Sequence, residues 1–280
     1  MSALDTTLRE ALGPVAQRRA IAGGDVNEAW KVRLEDGRTV FVKTQPGAAD
    51  SVFAREAEGL RWLGEAGSLR VPEVLAVGPT FLALAFVRSA RPAPDHAEQL
   101  GRGLAALHRS GAAAFGGEHD NFIGRLPQDN TPEVDWATFY RERRLRPLVA
   151  RAGDLLPAGA LRRFEVLYTR LDELVGPTEP PARLHGDLWG GNAMVDDAGA
   201  PVLIDPAVYG GHREMDLAMM RLFGGFDERV FAAYREAWPL ASGAGERVPL
   251  YQLYPQLVHV CMFGRGYVSG VVGALKSLTR

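Results

Sequence analysis

Leu184-His185-Gly186-Asp187-Leu188-Trp189-Gly190-Gly191-Asn192, followed at Leu203-Ile204-Asp205-Pro206 by a second acidic position, decides how this chain is read. Asp187, Asn192 and Asp205 lie five and then thirteen residues apart. A phosphotransferase catalytic loop follows that arithmetic: one Asp orients the attacking hydroxyl and takes its proton, while the Asn and the second Asp hold Mg²⁺ against nucleotide phosphates. The base and the first metal ligand must face one cavity from one rigid loop. The second ligand returns on the far strand of a short hairpin, for which Met194-Val195 and Val202-Leu203-Ile204 supply apolar strands and Asp196-Asp197-Ala198-Gly199 the turn. The pattern therefore predicts that Asn192 and Asp205 meet across this ribbon. His185 reads as a brace of the loop, since phosphoryl transfer needs no second base.

Upstream, the pattern is that of a small sheet. Leu4, Leu8, Leu12 and Val15 predict an amphipathic helix running from Thr6 to about Gln17. Ala29 to Leu34 alternates, Glu35-Asp36-Gly37-Arg38 turns, and Thr39 to Lys43 returns antiparallel. A helix is expected from about Asp50 to Glu65, then strands over Val71 to Val77 and Phe81 to Val87 around Gly78-Pro79. Beyond the Pro-bearing segment Arg88 to Pro94 the texture turns helical, with periodicity over Asp95 to Arg109, Trp136 to Arg151, Ala158 to Val175, Met215 to Leu222, Glu228 to Trp238 and Leu250 to Ser269. The expected fold class is α+β and bilobal. A small antiparallel β-sheet lobe with one main helix occupies residues 1–88, and a larger, mostly α lobe carrying the catalytic loop occupies residues 89–280.

Within this frame Lys43 ends the second strand of the hairpin, where a Lys reaches the α- and β-phosphates and is held by a carboxylate of the next helix. Glu56 is the best placed, with Glu58 as the alternative on another face of the helix. Gly23, Gly24, Asp25, Val26 and Asn27 precede the hairpin and are expected to fold their backbone N–H groups over the phosphates. Adenine is expected against the backbone of Ala85, Phe86 and Val87. Asp216 reads either as a helix cap or as an acceptor for the catalytic-loop backbone.

Composition bounds the partners. A chain of 280 residues that is 46% hydrophobic can bury one large core or two modest ones, and a formal charge of -2 argues against a nucleic-acid or anionic-membrane partner. The run Arg141, Arg143, Arg144, Arg146 reads as a solvated helix face. Cys261 is the single cysteine, which fits a reducing cytoplasm, and no segment has the length and apolarity of a membrane span.

His185 to Asn192, with its Trp and paired Gly, resembles the fructosamine/ketosamine-3-kinase family, a relative of the aminoglycoside and choline kinases. The likeness continues in Val71-Pro72, in Asp120-Asn121-Phe122-Ile123-Gly124 with Pro127-Gln128, and in Gly210 to Glu214 through Phe223-Gly224-Gly225-Phe226. The resemblance implies a protein-kinase-like bilobal fold and ATP-dependent phosphorylation of the 3-hydroxyl of a ketosamine, the rearranged adduct of a sugar and an amine, in protein deglycation. By position it implies that Lys43 and Glu56 hold phosphate, that Asp187 is the base, and that Asn192 and Asp205 bind Mg²⁺ or Mn²⁺. It also implies that Trp189 lines the sugar site, and it places His119, Asp120 and Asn121 either in the same cleft or in a structural Asn-Phe turn. The second metal motif is Ile-Asp-Pro, which speaks against an activation-loop switch of the protein-kinase type.

Two other readings use the same residues. An aminoglycoside- or choline-type phosphotransferase would share the machinery, but a polycationic substrate calls for acidic walls, and Asp227 to Arg247 mixes signs. A non-catalytic nucleotide-binding module is disfavoured by the joint presence of Lys43, Asp187, Asn192 and Asp205. Sugar length, amine and oligomeric state stay open.

Overall fold

A computed structural model describes residues 3–21, 28–45, 47 and 51–279. The chain forms two compact units, Met1–His96 with Ala193–Pro206, and Ala97–Asn192 with Ala207–Arg280. Neither unit is one run of sequence, because the hairpin after the catalytic loop belongs with the N-terminal residues.

The first unit is built on a five-stranded antiparallel sheet, ordered β1-β2-β3-β5-β4, of β1 (Val15–Ile21), β2 (Glu28–Leu34), β3 (Thr39–Thr44), β4 (Val74–Gly78) and β5 (Phe81–Ala85). Helix α1 (Ala3–Leu12) buries Leu8 and Leu12 on one face with Val32, Leu34, Val40 and Val42. Helix α2 (Val52–Glu65) buries Phe53, Ala57 and Leu60 with Leu82 and Leu84. The β2–β3 hairpin has the expected turn, with Leu34 N–H donating to Arg38 O at 2.9 Å.

Helix α1 does not reach Gln17. It ends at Leu12, where Gly13 at φ 105° and Pro14 break the ladder, and Val15 opens a strand. Polar Gln17, Arg18 and Arg19 hid β1, an edge strand whose outer residues are solvated and whose Arg18 guanidinium lies 4.4 Å over the Trp30 ring. Strand β4 starts three residues later than expected. Pro72 has no N–H to give, and Arg70 instead accepts from Leu203 N–H at 2.9 Å, tying this segment to the 193–203 hairpin.

The second unit is mostly helical and centred on one large apolar cluster. Its first helix, α3 (His96–Arg109), buries Leu100, Leu104 and Leu107. The helix predicted over Trp136 to Arg151 is α-helical at Trp136–Phe139 and Arg146–Ala152, with a π-helical segment, Tyr140–Leu145, between them. Pro147 lacks an N–H and its ring crowds the carbonyl four residues back. The wider π turn accommodates both, and the Arg144 guanidinium donates to Arg143 O at 3.1 Å. Arg144 corrects the reading of a solvated basic face, for it is fully buried, with its guanidinium 4.0 Å over Tyr209 and 4.5 Å over Phe139. The long helix near the C-terminus also differs from expectation. It runs Ala244–Phe263 with Pro249 and Pro255 inside it, stops at Gly264 (φ 84°), and is followed by a separate helix, Val268–Leu278. The Ala158 segment likewise breaks at Arg170 into Ala158–Thr169 and Leu171–Leu174. Among the described residues no helix is long and apolar enough to cross a membrane.

Trp136, Tyr140, His212 and Tyr251 form the aromatic centre of this unit. His212 stacks on Tyr251 at 5.2 Å and Trp136 on Tyr140 at 5.4 Å. Burial pushes the His212 pKa down to about 4, Glu179 opposing and Arg247 and Arg213 reinforcing the shift. An unfolded His takes its proton near pH 6.5 while the folded one refuses it, so stability is full above pH 6.5 and falls as pH drops toward 4. His212→Phe keeps the stacking and removes the titration. Between pH 7 and pH 5 the wild type is expected to lose about 2 kcal/mol more unfolding free energy than this variant. Parallel losses in urea titrations at the two pH values would contradict the assignment.

Candidate active site

Within the first unit a buried cation is held between two carboxylates. Lys43, on β3, is 5% exposed, and its ammonium donates to Glu56 on α2 at 2.7 Å and to Asp205 at 2.5 Å. Burial works against the charged ammonium, but Glu56 and Asp205 outweigh it and hold the Lys43 pKa above its ordinary value. Burial in turn pushes the Glu56 carboxyl up against the pull of Lys43. Glu58, the alternative partner, pairs with Arg55 at 2.6 Å on the surface.

Asp205 follows the hairpin strands Ala193–Val195 and Pro201–Leu203, whose register pairs Leu203 with Ala193. Asp205 has φ 54°, the one positive φ outside glycine among the described residues, and such strain persists only where the surroundings over-determine it. Here the hairpin is fixed at several points. Asp196 accepts from Ala198 N–H and Ala200 N–H at 2.9 Å each and from Arg70 at 2.7 Å, and Gly199 O accepts from Ala93 N–H at 3.0 Å. Gly23, Gly24, Asp25, Val26 and Asn27, expected to cover the phosphates, lie outside the described residues. Of the expected adenine contacts, Ala85 pairs in β5 and its N–H donates to Glu73 O at 2.8 Å, Phe86 is half-buried beneath the Lys31 ammonium, and Val87 is buried.

The second unit carries the loop read as catalytic, which leaves the strand Ala182–Leu184 and closes in a single 3₁₀ turn at Gly190–Asn192. Asn192 Nδ2 donates to the Asp187 carbonyl at 2.8 Å and to its carboxylate at 3.2 Å. The residue read as base and the residue read as metal ligand thus hold one another. Asp216 receives the loop backbone, accepting from His185 N–H at 2.8 Å and Gly186 N–H at 2.9 Å. It sits in the first turn of helix Glu214–Leu222, where the helix dipole favours a carboxylate. Burial opposes its charge, yet hydrogen bonding and charge from His108, with His185 and Gly186 adding, keep the Asp216 pKa below the ordinary range. Gly186 cannot be replaced: at φ 83° a Cβ would lie 2.0 Å from Ala207 O. His185 is fully buried and accepts from Asp187 N–H at 3.3 Å, as a brace does.

Trp189 is 42% exposed, and its ring lies so close over Gly191 that a Cβ there would come within 2.2 Å. His119 and Asp120 are exposed, whereas Asn121 is buried. Asn121 Nδ2 donates to Val208 O at 2.8 Å, and Gln128 Nε2 bonds both Asn121 Oδ1 at 2.7 Å and Ala207 O at 3.2 Å. The Asn121 amide thus ties down the segment after Pro206, as in the structural alternative for this residue. Asp120 accepts from Asn130 N–H at 2.8 Å.

His108 escaped the sequence reading. Its Nε2 lies 3.2 Å from Asp216 and its Nδ1 2.8 Å from the Tyr234 hydroxyl, in a fully buried chain. The one signal was a His at the end of an apolar helical stripe, Leu100, Leu104, Leu107. Tyr254, whose hydroxyl donates to Gln128 Oε1, carried no signal beyond aromatic periodicity.

The family profile of fructosamine kinases matches residues 2–280. A solved structure from Thermobifida fusca, assigned as a fructosamine-3-kinase, is 43% identical with a TM-score of 0.92, covering 99% of this chain and 98% of that one. A Thermus thermophilus protein assigned as a ketoamine kinase is 40% identical over 96% of this chain and 95% of its own length. The chloroplastic protein-ribulosamine 3-kinase of Arabidopsis thaliana is 35% identical over 93% and 82%. The aminoglycoside phosphotransferase APH(4)-Ia, at 15% identity and a TM-score of 0.67, shares the fold alone.

Asp216→Asn removes the charge that receives two loop N–H groups and His108. With hydrogen bonds to charged groups worth about 1.5–3 kcal/mol, kcat should fall about 10- to 100-fold while circular dichroism stays native. An unchanged kcat would show that the loop is held by other contacts.

Proposed function

Because the chain belongs to the fructosamine kinase family, we propose that it transfers the γ-phosphoryl group of ATP to the 3-hydroxyl of a ketosamine, in the cytoplasm. The observation that carries this reading is the loop itself, which presents Asp187, its partner Asn192 and a half-exposed Trp189 within six residues. The first unit handles the nucleotide and the second the acceptor. Lys43, held by Glu56, neutralises the α- and β-phosphates, and Phe86 and Val87 offer backbone groups to adenine. Asp187 takes the proton of the sugar hydroxyl as its oxygen bonds to the γ-phosphorus. The bond from that phosphorus to the bridging oxygen breaks, and ADP leaves with the electron pair.

Asn192 and Asp205 offer only oxygen donors, which fits a hard cation shared with phosphate oxygens and suits zinc poorly. Among the described residues no three His, Cys, Asp or Glu side chains gather into a separate cage. Mg²⁺ or Mn²⁺ bound there supplies charge neutralisation for the transferring group. Trp189 gives the sugar an aromatic face, and the glycines beside it allow close backbone approach. This suits a small neutral acceptor better than a polycation.

The test is a panel of ribulose-, erythrulose- and fructose-lysine adducts with kanamycin and choline, using Mg-ATP and locating the phosphate by NMR. A ketosamine should gain phosphate at the 3-position, and short-chain adducts should do at least as well as fructose-lysine. Transfer to kanamycin or choline and to no ketosamine would overturn the reading.

Asp187→Ala should lower kcat about 10²–10⁴-fold with ATP binding intact, and a variant keeping half its activity would remove Asp187 from the role of base. Chelation should abolish turnover and added Mg²⁺ restore it, whereas full activity in metal-free buffer would sink the ligand assignment.

A further inference from the structure

The hydroxyl of Tyr254, on the helix Ala244–Phe263, is linked to the catalytic loop through one amide side chain and one backbone residue. Tyr254 donates to Gln128 Oε1, and Gln128 Nε2 donates in turn to Asn121 Oδ1 at 2.7 Å and to Ala207 O at 3.2 Å. Asn121 Nδ2 continues the chain to Val208 O at 2.8 Å. Asn121 and Gln128 pair across the short hairpin of strands Asn121–Ile123 and Leu126–Gln128, and all three side chains are buried.

The direction of this chain is fixed at both ends. The carbonyls of Ala207 and Val208 can only accept. Burial pushes the Tyr254 pKa up against the pull of Arg144, with Tyr209 and the Asp187 carboxylate adding to the rise, so the hydroxyl keeps its proton and donates. The Arg144 guanidinium, 5.6 Å over the Tyr254 ring and 4.0 Å over that of Tyr209, packs both rings in place. By shape a Gln amide fits either way round, and the Tyr254 proton selects the orientation that turns Nε2 toward Ala207 O.

Ala207 carries the constraint into the loop. Tyr209 pairs with Leu184, and the same register brings Ala207 beside Gly186, so close that a Cβ on Gly186 would lie 2.0 Å from Ala207 O. Ala207 N–H donates to His185 O at 2.9 Å, while Gly186 N–H donates to Asp216 at 2.9 Å. The peptide group joining His185 to Gly186, directly before Asp187, is thus gripped at its oxygen by Ala207 and at its nitrogen by Asp216. We propose that Tyr254 and Gln128 are positioning residues for phosphoryl transfer, setting the orientation of Asp187 through Ala207. The proposal rests on the kinase reading above, in which Asp187 is the base, and adds two residues outside the loop on which its placement depends. Without the Tyr254 hydroxyl, Gln128 Oε1 loses its donor in a buried setting, the amide is no longer held in one orientation, and Ala207 loses its fixed partner.

The experiment measures kcat and both KM values with Mg-ATP and the ketosamine that the wild type phosphorylates best, normalised to folded protein by circular dichroism. Wild type, Tyr254→Phe, Gln128→Met and their double variant are compared. Tyr251→Phe serves as control, since this residue lies on the same helix and its buried hydroxyl bonds Val175 O and the Trp136 indole instead. Tyr254→Phe and Gln128→Met should each lower kcat about tenfold, as a displaced catalytic group does, with KM for either substrate within about twofold of wild type. The double variant should be no worse than the poorer single variant, because both act through one bond. Tyr251→Phe should lower the thermal midpoint and leave kcat unchanged. A kcat for Tyr254→Phe equal to that of wild type, the same loss in Tyr251→Phe, or losses that multiply in the double variant would overturn the positioning role and leave the kinase reading standing. Gln128→Met carries the same test should Tyr254→Phe not fold. Absence of transfer by the wild type to any ketosamine would remove the kinase reading, and this proposal with it.

Discussion

One buried ammonium organises the first unit. Lys43 is 5% exposed, and an isolated charge at that depth costs several kcal/mol after relaxation. Glu56 and Asp205 offset that cost, and in doing so they fix three separate stretches of sequence around one atom: β3, α2 and the residues after the 193–203 hairpin. This is a physical reason for the hairpin to fold with residues far away in the chain, Lys43 lying 162 positions before Asp205. Arg70, reaching Asp196 at 2.7 Å, and Ala93, donating to Gly199 O at 3.0 Å, hold its other end, so the strained φ of Asp205 is maintained from several directions.

The second unit solves a different problem, holding a sharp irregular loop without covering it. Asp216 anchors the backbone from below through two N–H groups, His108 and Tyr234 extend the anchor into the core, and the Asn121–Gln128 pair secures the segment that follows Pro206. Only glycine allows this geometry at Gly186, where a Cβ would collide with Ala207 O, and at Gly191 a side chain would displace the Trp189 ring. The result is a loop whose polar groups are satisfied on its inner side and whose Trp189 stays half-exposed on the outer.

Much of this was legible in the sequence where the signal is local. The β2–β3 hairpin announces itself by alternation and turn chemistry, and Lys43 with Glu56 by a strand end followed by an amphipathic helix. Errors arose where tertiary context overrides periodicity. Val15 continued an apolar spacing across Gly13-Pro14, so an edge strand was read as helix, and Arg144 looked solvated although aromatic rings enclose it. Asn121 was left between the sugar site and a structural turn, because its bonding to Val208 O and Gln128 joins stretches distant in sequence that no spacing reveals. His108 could not be found from spacing, since its meaning lies in Asp216, Tyr234 and the loop, each brought from elsewhere in the chain.

Glu56 acts on turnover through Lys43, whose ammonium it holds in place. A double-mutant cycle with Glu56→Gln and Lys43→Met tests it directly, using kcat/KM for Mg-ATP with a ketosamine acceptor. If Glu56 serves to hold the Lys43 ammonium, the double variant should be no worse than Lys43→Met alone, because the partner it positions is already gone. Losses that multiply across the two substitutions would show that Glu56 and Lys43 act independently, and would contradict the account.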